Sequence, residues 1–493
     1  MKILFFSHYY PPEVNAPASR TYEHCVRWAA AGHEVTVITC VPNCPDGVAF
    51  AGYRNRFRRQ TEMVDGVRVV RIWTYLAPNA GTVRRIANYV SYMMSAILAS
   101  FRIHRPDVIV ATSPQFFCGW AGVMTAWLKR RPMVLEIRDI WPESIRAVGA
   151  LRNQRLLRLL ERLEKWMYRS ATHIVAVGNG YRDEILKKVD VADRITVITN
   201  GVDLERFCQE TVVRGPLSVG RCQSSKDGEQ RSEVEGRRDS ASCFVPGASL
   251  ADGGERSRAA AEQAELRTPI PPPQYSSIPA LQHSNPSAPS TKHQAQRTKN
   301  EERSTNNRFV CSYVGTIGMA HGLEVVIQAA RILKDAGRDN FLFQIVGDGA
   351  RRQELIDLAA KQGVSDLVEF PGRQPKERMP AILAASDACL VHLRGCELFG
   401  TVIPSKIFEV MAMARPIIMG VRGEAQQIVL RAGAGVAMEP DSAESLAACV
   451  KELADHPGRA QAMGQAGRAH VITHYDRDQL AKRYLELLET VGR

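Results

Sequence analysis

Short β-branched runs alternate with amphipathic helical stretches along this chain, break off after Phe207, and resume at Phe309. In the first array the expected strands are Lys2–Phe6, Glu34–Thr39, Val67–Ile72, Val108–Ala111, Met133–Glu136, His173–Val177 and Ile195–Ile198. Helical stretches such as Ala18–Ala31, Arg84–Arg102 and Leu151–Ser170 fall between them. The second array repeats the alternation with Phe309–Val314, Phe341–Val346, Val368–Phe370, Ala388–His392, Pro416–Met419 and Gly435–Met438. Alternation at this spacing builds βαβ units and a mainly parallel sheet. The fold class is therefore α/β, with two doubly wound domains facing a central cleft at the carboxyl ends of their strands. At 493 residues there is chain enough for a core in each.

The interruption is compositionally foreign. Residues 208–307 are rich in Ser, Gln, Arg, Glu, Pro and Ala, include Pro269-Ile270-Pro271-Pro272-Pro273-Gln274, and sustain no apolar period. Such a stretch buries too little apolar area to offset its ordering entropy, so it reads as a disordered insert between domains, where length costs little. The expected boundaries are 1–207 for the first domain, 208–307 for the insert and 308–475 for the second domain. Residues 476–493 form a terminal helix (Gln479–Thr490) that crosses back to the first domain.

The net charge of +12 is unevenly placed. Residues 1–207 carry 29 Lys and Arg against 18 Asp and Glu, whereas residues 308–493 carry 22 of each. Basic clusters at Arg54-Arg56-Arg58-Arg59, Arg84-Arg85 and Lys129-Arg130-Arg131 suit anionic lipid, a polyprenyl diphosphate or nucleic acid, or simply solubilise the surface. The clusters lack the interleaved aromatics of a stacking platform, which argues against nucleic acid. Eleven cysteines include one C-x3-C pair, Cys40 and Cys44, without a second pair or a nearby His, so they read as reduced thiols of a cytosolic protein. The apolar run at the N-terminus is too short for a signal peptide, and no apolar stretch is long enough to span a bilayer.

The densest chemistry lies in Ile403–Ile418, IPSKIFEVMAMARPII. Pro404 and Ser405 stand where a helix would start, Lys406 and Glu409 follow on its first turns, and Arg415-Pro416 ends it. A helix N-terminus suits a diphosphate, and a carboxylate one turn in can accept hydrogen bonds from the vicinal hydroxyls of a ribose. On the residues alone, a solvated helix carboxylate is an equal reading of Glu409. The layout resembles the donor signature of the two-domain glycosyltransferases of family 4, which have the GT-B fold of two Rossmann-like domains. That resemblance implies that Glu409 holds the donor ribose, and that Ser405 and Lys406 lie at the donor diphosphate.

Other segments fit the same likeness, which covers everything outside the insert. The loop Ser7–Arg20 with its PPE run, followed by Gly32-His33-Glu34-Val35-Thr36-Val37, resembles the family's opening; Asn15 stands near a donor-approaching Gly and can tolerate the left-handed conformation. His8 reads as structural. Arg138-Asp139-Ile140-Trp141-Pro142-Glu143-Ser144, at the end of a strand, is similar to an RD-x-WPES motif of one branch. Many members have a His before the Asp where this chain has Arg138, which can stabilise phosphate charge but cannot act as a base. Asp139 is then the expected acid/base or positioning residue, the rival being an Asp–Arg pair that fixes the loop.

Val314–Leu323 joins the first strand of the second domain to its helix, and its glycines read as a phosphate loop with Gly315, Thr316, His321 and Gly322 at the donor. Relatives place an Arg and a Lys here; this chain has His321 instead, and Lys406 is the expected source of the missing charge. The Gly347-Asp348-Gly349 turn reads as structural. Arg373 falls where the family's nucleobase pocket lies, and Thr401 stands eight residues before Glu409, where the usual partner Glu faces the donor sugar. That replacement leaves the hexose open.

The likeness is closest to the branch that transfers N-acetyl-L-fucosamine to lipid-linked acceptors, on the RD-x-WPES, GRQPKERMP and PSK patterns. It implies retaining hexosyl transfer from a nucleotide-sugar, UDP-linked and in that branch an N-acetylated deoxyhexosamine, to a lipid-diphosphate-linked or glycan acceptor in surface polysaccharide assembly. Asp139 is the one carboxylate expected in the cleft besides Glu409, so front-face displacement is expected rather than double displacement. Lys406, His321 and backbone N–H groups would stabilise the leaving diphosphate. No cofactor and, without a DxD pair, no metal is expected. The protein is expected in the cytoplasm, held at an anionic membrane surface by the basic first domain and the helix Arg84–Arg102, or by the Arg clusters alone if that helix belongs to the core. A nucleotide-sugar epimerase of the same fold and a non-catalytic basic binding protein are the alternatives.

Overall fold

The computed structural model describes residues 1–44, 46–77, 82–113, 115–141, 154–208 and 308–493, with the side chains of 82, 83 and 398 set aside. The expected insert, Cys208 excepted, and the Pro142-Glu143-Ser144 end of the RD-x-WPES segment lie outside those residues.

The first array folds as β1 (Lys2–Phe6), α1 (Ala16–Ala30), β2 (Glu34–Cys40), β3 (Gln60–Val64), β4 (Val67–Ile72), α2 (Thr82–Ser100), β5 (Val108–Thr112), α3 (Phe116–Lys129), β6 (Met133–Ile137), α4 (Gln154–Ser170), β7 (His173–Ala176), α5 (Asn179–Lys188) and β8 (Ile195–Val197). Its sheet runs β3-β4-β2-β1-β5-β6-β7-β8. Every pairing is parallel except β3 with β4. Sequence reading missed β3, an edge strand that alternates half-buried and exposed residues and turns back through Asp65-Gly66.

The second array gives β9 (Phe309–Val314), α6 (Glu324–Asp335), β10 (Phe341–Val346), α7 (Arg352–Lys361), β11 (Val368–Gly372), α8 (Met379–Ala385), β12 (Ala388–His392), α9 (Lys406–Ala412), β13 (Ile417–Gly420), α10 (Glu424–Arg431) and β14 (Gly435–Ala437). Helices α11 (Ala443–Asp455), α12 (Pro457–His474) and α13 (Arg477–Gly492) complete it. Its sheet is wholly parallel, in the order β11-β10-β9-β12-β13-β14. Central strands such as β5, β6, β12 and β13 are buried along their whole length, because helices cover both faces.

The two faces of the first sheet have separate cores. On one, α2, α3 and α4 bring Tyr92, Phe116, Trp120 and Met167 onto Leu4, Phe6 and Ile38. On the other, α1 and α13 bring Trp28, Tyr484 and Leu488 onto Ile3, Phe5 and Val37. The terminal helix is part of this second core, and Trp28 Nε1 donates to the Ala481 carbonyl at 3.0 Å. The chain passes between the domains twice, side by side. Val202 and Phe207 already pack with Leu383 and Phe408 in the second domain's core, ahead of residue 208, so the first crossing precedes the insert instead of running through it. Val202 N–H donates to the Tyr475 carbonyl at 3.0 Å, and Arg477 N–H returns a bond to the Val202 carbonyl at 3.1 Å.

Candidate active site

Strand β6 is buried along its length and carries a charge that must be neutralised. Glu136 is 1% exposed, and Arg20 of α1, 6% exposed, meets it at 2.8 Å. Thr112 donates a second bond to the carboxylate at 2.7 Å. The rest of the Arg20 guanidinium donates to the carbonyls of Ile198 and Thr199 and to Asn200 Oδ1. Burial works to raise the Glu136 carboxyl, but Arg20 and Arg138 outweigh it and hold the group below its ordinary range. This network fixes the start of α1, the end of β6 and the Thr199–Gly201 turn as one wall.

Against that wall stands the second domain, and between them lies a cleft of about 260 Å³. The first domain contributes Asn15, Arg20, Glu23 and Arg138; Lys376, Ser405, Glu409 and Arg477 face them. Arg138 donates to the carbonyls of Ala16 and Pro17 at 3.0 and 3.3 Å, and burial lowers its guanidinium to about 10. Arg477 holds Glu23 at 2.7 Å and donates to the Gly201 carbonyl. Lys376 donates to Ser19 Oγ across the cleft. Burial lowers the Lys376 ammonium and raises the carboxyls of Glu23 and Glu409, and each of these carboxyls feels the Arg477 charge that opposes its rise.

Glu409 sits in the first turn of α9, and among the described residues its carboxylate accepts no hydrogen bond. Lys406, one turn earlier, sets its ammonium 4.0 Å from the centre of the Tyr313 ring. Burial lowers that ammonium to about 8, with the Glu409 charge opposing. Gly315 makes this placement possible: its φ is +148°, and a Cβ there would come within 2.6 Å of Lys406 Nζ. The cleft therefore presents several cations and one unengaged carboxylate, a set suited to a diphosphate joined to a diol.

The sequence-expected residues divide into three groups. Asn15, Arg138, Ser405 and Glu409 line the cleft, with Lys406 and Gly315 directly behind. Asn15 is extended (φ −135°) instead of left-handed, and its Oδ1 caps α1 by accepting from Ala18 N–H at 2.9 Å. Ser405 precedes α9 without a side-chain capping bond. Thr316, His321, Gly322 and Arg373 occupy the neighbouring loops of the second domain. Thr316 is exposed, and its carbonyl accepts from the Tyr313 hydroxyl at 2.7 Å. His321 leaves Nδ1 buried without a partner, and burial followed by the Lys406 charge lowers the ring to about 4. The ring is neutral near pH 7, so it meets a leaving diphosphate as a hydrogen-bonding group and not as a cation. Gly322 is left-handed (φ +54°), and Arg373 is exposed at the end of β11, where its charge reaches the Cys44 thiol of the first domain.

Asp139 and Thr401 form the third group. Asp139 lies beside Tyr181, whose phenol is pushed up first by burial and then by the Asp139 charge; it is not among the residues lining the cleft. Thr401 packs against Gly180 of α5, where an added Cβ would come within 3.0 Å of its Cα, so it belongs to the contact between domains. Nearby, Glu424 clasps the start of α5, accepting from Asn179 Nδ2 at 2.6 Å and from Gly180 N–H at 3.0 Å. Glu23 joins Glu409 as a carboxylate that lines the cleft. Sequence reading also passed over Arg20, Lys376, Tyr313 and Arg477. Lys376 lies within the GRQPKERMP segment, and Arg20 and Glu23 share a face of α1 at a spacing of three.

Two family descriptions match this chain: "Glycosyl transferase 4-like domain" over residues 15–201 and "Glycosyl transferases group 1" over residues 294–470. The protein named for colanic acid biosynthesis as glycosyl transferase WcaI, of Escherichia coli (strain K12), is 23% identical over 464 residues, 92% of each chain. Sucrose-phosphate synthase of Thermosynechococcus elongatus superposes with a TM-score of 0.63 at 15% identity, covering 99% of this chain and 98% of its own. Anabaena Alr3699/HepE, solved in complex with UDP-glucose, gives 0.61 at 14% identity, covering 99% and 100%. These likenesses establish the fold as GT-B.

Proposed function

Since this chain is a glycosyltransferase of the GT-B fold, built from a 4-like and a group 1 domain, we propose that it transfers a hexosyl unit, with retention, from a nucleotide-sugar to a lipid-diphosphate-linked or glycan acceptor in surface polysaccharide assembly. One observation carries the donor side: the unengaged Glu409 carboxylate faces a cleft lined by Arg138, Lys376 and Arg477, with the Lys406 ammonium one turn away. In this reading Glu409 accepts from the ribose hydroxyls. The cations and the Gly315–Gly322 loop hold the diphosphate, and Arg373 stacks on the base. A UDP-linked donor is supported by the complex of Alr3699/HepE with UDP-glucose. The polysaccharide setting is supported by WcaI, and an N-acetylated deoxyhexosamine by the motif likeness to the fucosamine branch.

The transfer step follows from charge. As the bond from the anomeric carbon to the diphosphate oxygen breaks, negative charge grows on that oxygen, where Lys406, Lys376 and Arg138 stabilise it. Glu23 is engaged by Arg477, and Glu409 is assigned to the ribose. Neither is free to form a glycosyl ester, so the acceptor oxygen attacks from the leaving-group side and passes its proton to the departing diphosphate. Asp139, beside Tyr181, positions the loop after β6. The enzyme works in the cytoplasm, peripherally at the inner face of the cytoplasmic membrane. Among the described residues no helix is long and apolar enough to cross one.

A panel of UDP-, GDP- and dTDP-sugars, with and without acceptor and with the product anomer assigned by NMR, tests this reading. Transfer from one donor with retained configuration is the expected result. A donor sugar altered in the absence of acceptor would mean an epimerase instead.

A further inference from the structure

The helices that cover one face of the first sheet have an outer side that the core does not use. Helix α2 buries Tyr89, Tyr92 and Ala96 inward, so it is a core helix. A different row points outward. Met94, Leu98, Phe101, Trp127, Leu159 and Trp166 are between 51% and 75% exposed. Isolated exposed apolar side chains are ordinary, but a concentration of them is not. Among the described residues, ten of the eighteen large apolar side chains that are exposed lie on α2, α3, α4 or the turn after α2. The helices adjoin one another: Lys129 Nζ donates to the Ile103 carbonyl at 3.0 Å, joining the ends of α3 and α2, and Trp120 meets Trp166 edge-on at 4.9 Å between α3 and α4.

The same helices hold the charge. Residues 82–105, 116–131 and 154–170 carry twelve Lys and Arg against two acids, Glu161 and Glu164, and Glu164 is buried against Lys188 and Tyr168. That is a net +10, nearly all of the +11 carried by residues 1–207. Aliphatic Met94, Leu98 and Leu159 offer nothing to a phosphodiester chain. Tryptophans set among aliphatics and rimmed by arginines match the boundary between lipid headgroups and acyl chains. We propose that the outer face of α2, α3 and α4 docks on an anionic phospholipid bilayer, with Phe101, Trp127 and Trp166 entering the interface and the surrounding arginines engaging the headgroups. This rests on the reading that the acceptor is lipid-linked, and it replaces contact by charge alone with insertion of a defined apolar row.

The test is co-sedimentation of the full chain with vesicles of phosphatidylcholine, or of phosphatidylcholine mixed with phosphatidylglycerol, at low and high salt. Two double variants at exposed positions, Phe101→Ser with Trp127→Ser and Arg102→Glu with Arg162→Glu, are compared after thermal melts confirm folding. The wild type is expected to pellet with the mixed vesicles and to lose binding as salt rises. The apolar pair should lower partitioning at least about tenfold at every salt concentration. The charge pair should lower it about twenty-five-fold or more at low salt. Equal binding to neutral and mixed vesicles, or unchanged binding in the apolar pair, overturns the proposal. So does displacement of the wild type by RNA with the apolar pair behaving like wild type, which would make the face a polyanion site. Donor turnover with a water-soluble acceptor should stay unchanged in both variants. If the chosen donor is turned over with a water-soluble acceptor but with no lipid-linked one, while the wild type still binds the mixed vesicles, the lipid-acceptor reading fails and the docking face stands.

Discussion

Val202 and Asp476 form an isolated parallel bridge where the chain crosses between its two domains in both directions. Gly201 adjoins it, and a Cβ at that position would run into the Tyr475 carbonyl and the Leu480 side chain. The two crossings therefore pack backbone against backbone, with no room for a methyl group.

Gly201→Ala is expected to destabilise the protein by about 1–3 kcal/mol, the usual cost of forcing an extra group into a packed site. The midpoint of urea unfolding measures this. An unchanged midpoint would mean that the crossings separate easily.

Arg20→Ala should cost more, about 3–5 kcal/mol at neutral pH, because it leaves the Glu136 carboxylate buried without its main partner. The pH dependence also shifts. In the wild type the Glu136 carboxyl is held below its ordinary range, so its contribution is present above the unfolded carboxylate pKa and is lost as pH falls. In the variant Arg138 and Thr112 still oppose burial but the Arg20 charge and hydrogen bond are gone, so the carboxyl shifts upward towards the protonated acid. The gap in melting temperature between variant and wild type should narrow as pH is lowered from neutral towards 5. A constant gap would place the cost of Arg20 in packing instead.

Lys406 is expected to set a basic limb on activity. Its ammonium is lowered to about 8 by burial, so it is charged below that pH and neutral above it. If it neutralises the donor diphosphate, kcat/KM should fall as pH rises through about 8, and Lys406→Arg, which stays charged, should remove that limb. His321, lowered to about 4, is neutral across this range and adds no inflection. A profile in Lys406→Arg that matches the wild type would detach Lys406 from the donor.

Much of this was legible beforehand because it rests on local patterns. The buried strands read as unbroken apolar runs, and α9 declared itself by Pro404-Ser405 and its apolar face. What escaped depends on partners distant in sequence. Strand β3 has the weak alternation of an edge, and nothing local in it demands a partner. Thr401 stands eight residues before Glu409 in sequence, but residues 397–401 form a 3₁₀ turn that brings it to Gly180, and no spacing rule along α9 reports that turn. Glu23 and Arg477 lie 454 positions apart and meet only because α13 returns to α1. The neutrality of His321 is a consequence of burial, invisible in a loop that reads as polar.

Deleting about residues 210–305 and closing the gap with a short flexible linker should leave melting temperature and turnover close to wild type. Phe207 must be retained, since it is part of the second domain's core. A large loss of either property would give the segment a role in packing or in the cleft.

The assignment of the donor site stands on Glu409, and isothermal calorimetry tests it most directly. Binding of the donor chosen from the nucleotide-sugar panel to Glu409→Ala should be weaker by about 1.5–3 kcal/mol, the range for hydrogen bonds to a charged group, with the melting temperature retained. Unchanged donor affinity in a folded Glu409→Ala protein would contradict the account.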